Sequence, residues 1–222
     1  MTADPEHRIE PFWDAQLAIA AVIALYVALP ERLSIGPRWA VPTLCGVLLV
    51  TLAFATPWNS KRPPSHSTGR RRLAFAMLSL VSIANLASLV RLIYDLINGH
   101  GLAGRTLLGA AVVVWLSTVL VFAVWYWEFD RGGPIVRSRK EEVDGRKPDF
   151  FFQQMDPGVW KWKDWMPSFV DYLYLSFTNA TAFSPTDVMP LSATAKMLML
   201  AQSTSAFITV VLVGARAVNI LH

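Results

Sequence analysis

Cysteine is almost missing from this chain. The single one, Cys45, lies in an apolar run, so no disulfide framework can form within the chain and the redox compartment is not readable. Cys45 reads as a small buried hydrophobe. Charge is scarce as well: 16% of the 222 residues are charged, against about a quarter in an ordinary soluble domain. The four histidines, His7, His66, His100 and His222, fall in predicted loops or at the ends, where they form no metal-ligand or nucleophile–base constellation. No glycine-rich phosphate loop, metal-ligand spacing or internal repeat is present. The chain is therefore expected not to be an enzyme, to carry no metal or other cofactor, and to bind no nucleic acid. The first residues hold Asp4, Glu6 and Glu10 rather than a basic start, so no cleavable signal peptide is expected.

What is abundant is apolar sequence, 54% of the residues. It comes in runs of about 18 to 25 residues, the length a helix needs to cross a hydrocarbon core. Most of the runs are apolar all round, unlike the one-sided helices of a soluble core. The runs cover 12–29, 39–56, 73–97 and 106–127, and a last one follows Pro190. Tryptophans at 13, 39, 58, 125 and 127 suit the two membrane–water interfaces. Pro190 is expected in the first turn of the last helix, where a missing N–H costs nothing. The expected fold is all-α: a polytopic transmembrane bundle of five spans plus a re-entrant, pore-helix-like segment, with six full spans as the alternative. The regions are a four-helix membrane part (1–127), a polar loop with an interfacial tryptophan-rich end (128–167), and a pore-loop-like segment with the final helix (168–222). The middle region holds eight basic and eight acidic residues and is expected to be a solvated loop without a strong field.

Polar side chains within such a chain are costly and mark a candidate site. They gather at Thr178, Thr181, Ala182, Phe183, Ser184, Pro185, Thr186 and Asp187, a hydroxyl-rich turn between two apolar segments. A stripe of Gln202, Ser205 and Thr209 continues along the last helix and is expected either to line an aqueous path or to glue helices together. Another stripe, Ser79, Ser82, Asn85, Ser88, Arg91 and Asp95, shares one helix face and is expected to face the bundle.

The stretch 176–190, Ser-Phe-Thr-Asn-Ala-Thr-Ala-Phe-Ser-Pro-Thr-Asp-Val-Met-Pro, resembles the pore loop of potassium channels, S-F-x-T-x-T-T-V-G-Y-G-D-x-x-P. Ser176, Phe177, Thr181, Asp187 and Pro190 match. The resemblance implies a homotetramer around a pore for small ions. The filter positions depart from the pattern: Ala182 to Thr186 lack both glycines and contain Pro185, which fixes its own φ and restricts Ser184. A potassium filter is therefore not expected, and selectivity would fall to hydroxyls, Asp187 or a Phe183 constriction. Asp171-Tyr-Leu-Tyr-Leu-Ser-Phe-Thr with Thr186-Asp187 also resembles an uncharacterised family of bacterial membrane proteins, which implies the bacterial inner membrane.

The basic stretch 57–72, with Lys61, Arg62, Arg70, Arg71 and Arg72 and no acid, is placed in the cytoplasm by the positive-inside rule. The leading expectation is an oligomeric, passive pore that does not select potassium, embedded in and partnered by the lipid bilayer. The alternatives are a six-span carrier for a small solute and a non-conducting membrane scaffold. In the scaffold, Ser184 and Asp187 would merely cap the last helix.

Overall fold

The structure, a computed structural model, describes residues 12–34, 36, 37, 39–55, 68–98, 104–138, 146–156, 158, 165–181 and 187–221. The helices are α1 (Trp13–Ala28), α2 (Ala40–Ala55), α3 (Thr68–Asn98), α4 (Gly104–Phe129), the single turn α5 (Pro134–Arg137), α6 (Phe169–Thr181) and α7 (Ala193–Leu221). Two short strands, β1 (Phe150–Phe152) and β2 (Val188–Pro190), form an open antiparallel pair with Phe150 opposite Pro190 and Phe152 opposite Val188.

α4 is the central helix: α1, α3, α6 and α7 pack around it, its second half is buried almost throughout, and Val112 and Leu116 in its first half stay exposed. α2 lies outside this ring against α1 and α3. Helix directions follow from who meets whom at the two ends. At one end the ring of Trp127 packs edge-on against Phe12 and Phe169, in a cluster that also holds Met77, Phe150, Val188 and Ala195. At the other end Leu107 and Val114 pack with Tyr26, Leu29, Leu92, Leu96, Leu212 and Val213. So α1, α3, α6 and α7 all run antiparallel to α4. α6 and α7 are therefore parallel, and the chain between them returns to the end at which α6 began. α1 starts at this end and α7 finishes at the opposite one.

Among the described residues three helical segments, Thr68–Asn98, Gly104–Gly132 and Ala193–Gly214, are long and apolar enough to cross a membrane. The expectation of five spans plus a pore-helix-like segment, or of six full spans, is corrected by this count. α1 and α2 have 16 residues each, about 24 Å of helix, short of the roughly 30 Å hydrocarbon core. The sequence windows counted flanking residues as helical. Leu29, which precedes Pro30, is extended at φ −67°, ψ 145°, and the chain turns at once into a 3-10 turn, Glu31–Leu33. α6, with 13 residues, reaches only about 20 Å. Pro190 ends a strand rather than opening a helix. α7 starts at Ala193, and Ser192 Oγ accepts the Ala195 N–H at 3.1 Å as its N-cap.

Candidate functional site: a buried polar seam and its cap

α6 has one buried and one outward side, with the polar Ser176 and Asn179 on the buried one. Phe169, Tyr172, Leu175, Ser176, Asn179 and Ala180 are buried, while Val170, Tyr174, Phe177 and Thr181 face outward. Its start is fixed by Asp171, whose carboxylate accepts both the N–H and the hydroxyl of Ser168, at 2.7 and 2.8 Å.

The buried side of α6 meets α4 and α7 in a polar seam. The Tyr126 hydroxyl donates to Gln202 Oε1 at 2.5 Å, and Asn179 Nδ2 donates to the same oxygen at 2.9 Å. Gln202 Nε2 donates to the Ser176 carbonyl at 2.9 Å and to Ser176 Oγ at 2.7 Å. Ser176 Oγ donates to the Val119 carbonyl at 2.6 Å. Asn179 Nδ2 also donates to the Met199 carbonyl at 3.1 Å, and Ser203 Oγ donates to Asn179 Oδ1 at 2.9 Å. Both amide hydrogens of Gln202 are thus engaged, and its oxygen receives two donors. Its side chain is fully buried. A seam saturated in this way binds three helices in one register.

A cap of buried charge closes the Trp127 end. Asp130, fully buried, accepts the Tyr172 hydroxyl at 2.6 Å and the N–H groups of Asp149 and Phe150 at 2.8 and 3.3 Å. One carboxylate therefore ties the end of α4 to α6 and to β1. Arg137 donates to the carbonyls of Trp127 and Asp130 at 2.7 and 2.8 Å, and its guanidinium lies over the Tyr172 ring, 5.0 Å from the centroid. Arg70 approaches Glu128 at 3.7 Å and lies over Phe12. A cavity of about 20 Å³ beside this pair is lined by Phe12, Gln16, Arg70, Trp127 and Glu128, room for about one water. The turn needs Gly133, whose φ is 97° and whose Cβ would sit 2.9 Å from the Glu128 carbonyl oxygen.

The residues singled out from the sequence are scattered by this arrangement. Gln202 and Thr209 are buried against the bundle, whereas Ser205 is half-exposed. Ser205 and Thr209 spend their hydroxyls on the carbonyls of Ala201 and Ser205, one turn back. Thr178 and Thr181 do the same on α6, to Tyr174 and Phe177. Asp187 is exposed and accepts the Tyr174 hydroxyl at 3.1 Å; α7 is capped by Ser192 instead. Ala182, Phe183, Ser184, Pro185 and Thr186 lie outside the described residues. The α3 stripe does face the bundle in part: Asn85 donates to Thr118 at 2.8 Å and Ser82 accepts from Trp125 at 2.9 Å. Asp130, Arg137 and Glu128 were missed, because charge parity in 128–167 reads as solvation. The available signal was their position directly after the aromatic end of α4 and around Gly132-Gly133-Pro134. Among the described residues no group of three or more His, Cys, Asp or Glu is arranged to hold a metal ion.

No protein-family model, curated protein or solved structure matches this chain. The resemblances to the potassium-channel pore loop and to a bacterial membrane-protein family are corrected accordingly. The architecture disagrees with the first as well. Among the described residues only three segments qualify as spans, the segment following the matched turn is a strand paired in an open two-stranded sheet, and the matched Ser176 is bonded to α4 of its own chain. The protein is mostly helical and partly apolar, with the character of a membrane-associated chain.

Proposed function

We propose that the protein is an integral protein of the bacterial inner membrane acting as a rigid, non-conducting scaffold, with its charged cap on the cytoplasmic side. The observation that carries this reading is the Gln202 amide: buried, saturated and shared by three helices, it is a cross-link rather than the wall of a path. The arginines at 70–72 stand at the cap end, which supports the orientation. The test is cation and anion flux through vesicles holding the purified protein. Flux no faster than through empty vesicles is expected. A conductance would overturn the scaffold.

One observation favours a second reading, a passive pore between copies. Tyr174, Thr178 and Thr181 follow one another along the open side of α6, with Asp187 bonded to the first. Those groups would meet their equivalents in a homotetramer. On this reading conductance appears, the detergent-solubilised particle is an oligomer, and Asp187→Asn shifts the reversal potential. Reporters at the two termini test the orientation shared by both readings, and opposite sides are expected.

A further inference from the structure

Arg131 sits where the span Gly104–Gly132 ends, the level at which a bilayer gives way to its headgroups. Its guanidinium is half-buried and makes an unusual pair of contacts. Nη1 points at the sulfur of Met166 at 3.6 Å and Nη2 at the sulfur of Met155 at 3.3 Å. Thioethers are weak acceptors. Among the described residues no carboxylate reaches the guanidinium, and its Nε is buried without a partner. The nearby acids are already committed: Asp149 Oδ2 takes the backbone N–H of Arg131, and Asp130 is held by Tyr172 and β1. A second cation, Arg146, lies over Gly132, with Nη1 2.8 Å from where a Cβ would be.

The backbone sharpens the point. Arg131 has φ 52°, the single positive value of a non-glycine residue among those described, and the next two residues are glycines with positive φ. Glycine at 131 would remove the strain, so the arginine side chain stands there against a conformational cost. A guanidinium held between two soft sulfurs keeps one further N–H on each terminal nitrogen. Two such groups match two oxygens of a phosphate.

We propose that Arg131, supported by Met155, Met166 and Arg146, is a binding site for the phosphate of an anionic lipid headgroup. This rests on the membrane reading above. The lipid supplies the missing counter-charge and fixes the cap at the bilayer surface.

The experiment uses the full chain in an uncharged detergent, titrated with phosphatidylglycerol, with zwitterionic phosphatidylcholine and with phosphate-free diacylglycerol. Bound lipid is counted by native mass spectrometry and thermal stability is followed in parallel. Phosphatidylglycerol is expected to bind about five- to tenfold more tightly than phosphatidylcholine, and Arg131→Gln should bring the two within about twofold. Arg131→Lys should keep part of the preference, as a point charge without the fork. Arg105→Gln, at the far end of α4, should leave it intact. Equal binding of the three lipids by the unaltered protein overturns the proposal whether or not the Arg131 variants fold. So does an undiminished preference in Arg131→Gln, or glycerol phosphate alone reproducing the stabilisation, which assigns the site to a free phosphate. A chain that stays soluble without detergent would instead remove the membrane reading itself.

Discussion

The two ends of α4 are held by different physics. Around Leu107, Ala110, Ala111 and Val114 the partners are Tyr26, Leu29, Leu33, Leu89, Leu92 and Leu96, and cohesion comes mainly from close packing. Around Glu128, Asp130 and Arg137 it comes from named donors aimed at named acceptors. Packing of aliphatic chains is tolerant: volume matters, and many arrangements are nearly as good. A buried carboxylate is not tolerant, because any missing partner leaves a desolvated charge. The same helix thus has one end that sets cohesion and another that sets position. The end that sets position is also where the starts of α6 and α7 are brought together.

The sharpest way to break this contrast is Asp130→Ala. It strips Tyr172 and two backbone N–H groups of their acceptor while they stay buried, and about 3–5 kcal/mol of stability should be lost. A detergent melt shows this as the largest fall of any variant considered. A loss no greater than that of an aliphatic truncation would mean that the cap does not position anything. Next comes Gln202→Leu, which orphans groups on both α4 and α6 and should cost about 2–3 kcal/mol. Its measurement is the same melt, paired with cross-linking of α6 to α7 to see whether their register loosens. Val114→Ala, at the aliphatic end, should cost about 1.5 kcal/mol. Ser192→Ala removes a helix cap worth about 1 kcal/mol and should leave the register unchanged. Smallest is Asn85→Ala, which removes one interhelical bond to Thr118 and should cost about 0.6 kcal/mol.

The helices themselves were legible, because apolar runs of that length allow little else. Their ends were less so. The first run reads as a span when 12–29 is counted as continuous, and only the extended Leu29 ahead of Pro30 shows that it stops short. The polar residues of α6 and α7 were visible as a cluster, but not which way each pointed. Gln202, Ser205 and Thr209 share a stripe within about 60° of arc, yet the first and last are buried and Ser205 is left half open. The cap was the least legible. Asp130 acquires its partners from 19 to 42 residues away, and its one local signal is its place between the aromatic end of α4 and Gly132-Gly133-Pro134.

Those separations set a timetable for biogenesis. Asp130 meets Tyr172 42 residues later, and Tyr126 meets Gln202 76 residues later. At roughly 5–20 residues per second, the end of α4 waits about 4 to 15 seconds for its last partner. Through that interval the new chain presents an unmatched acid and an amide-hungry tyrosine to the insertion machinery. A nascent chain stalled before residue 172 should therefore be more exposed to membrane proteases than one stalled after residue 202, a difference that a pulse-chase of arrested lengths reads directly.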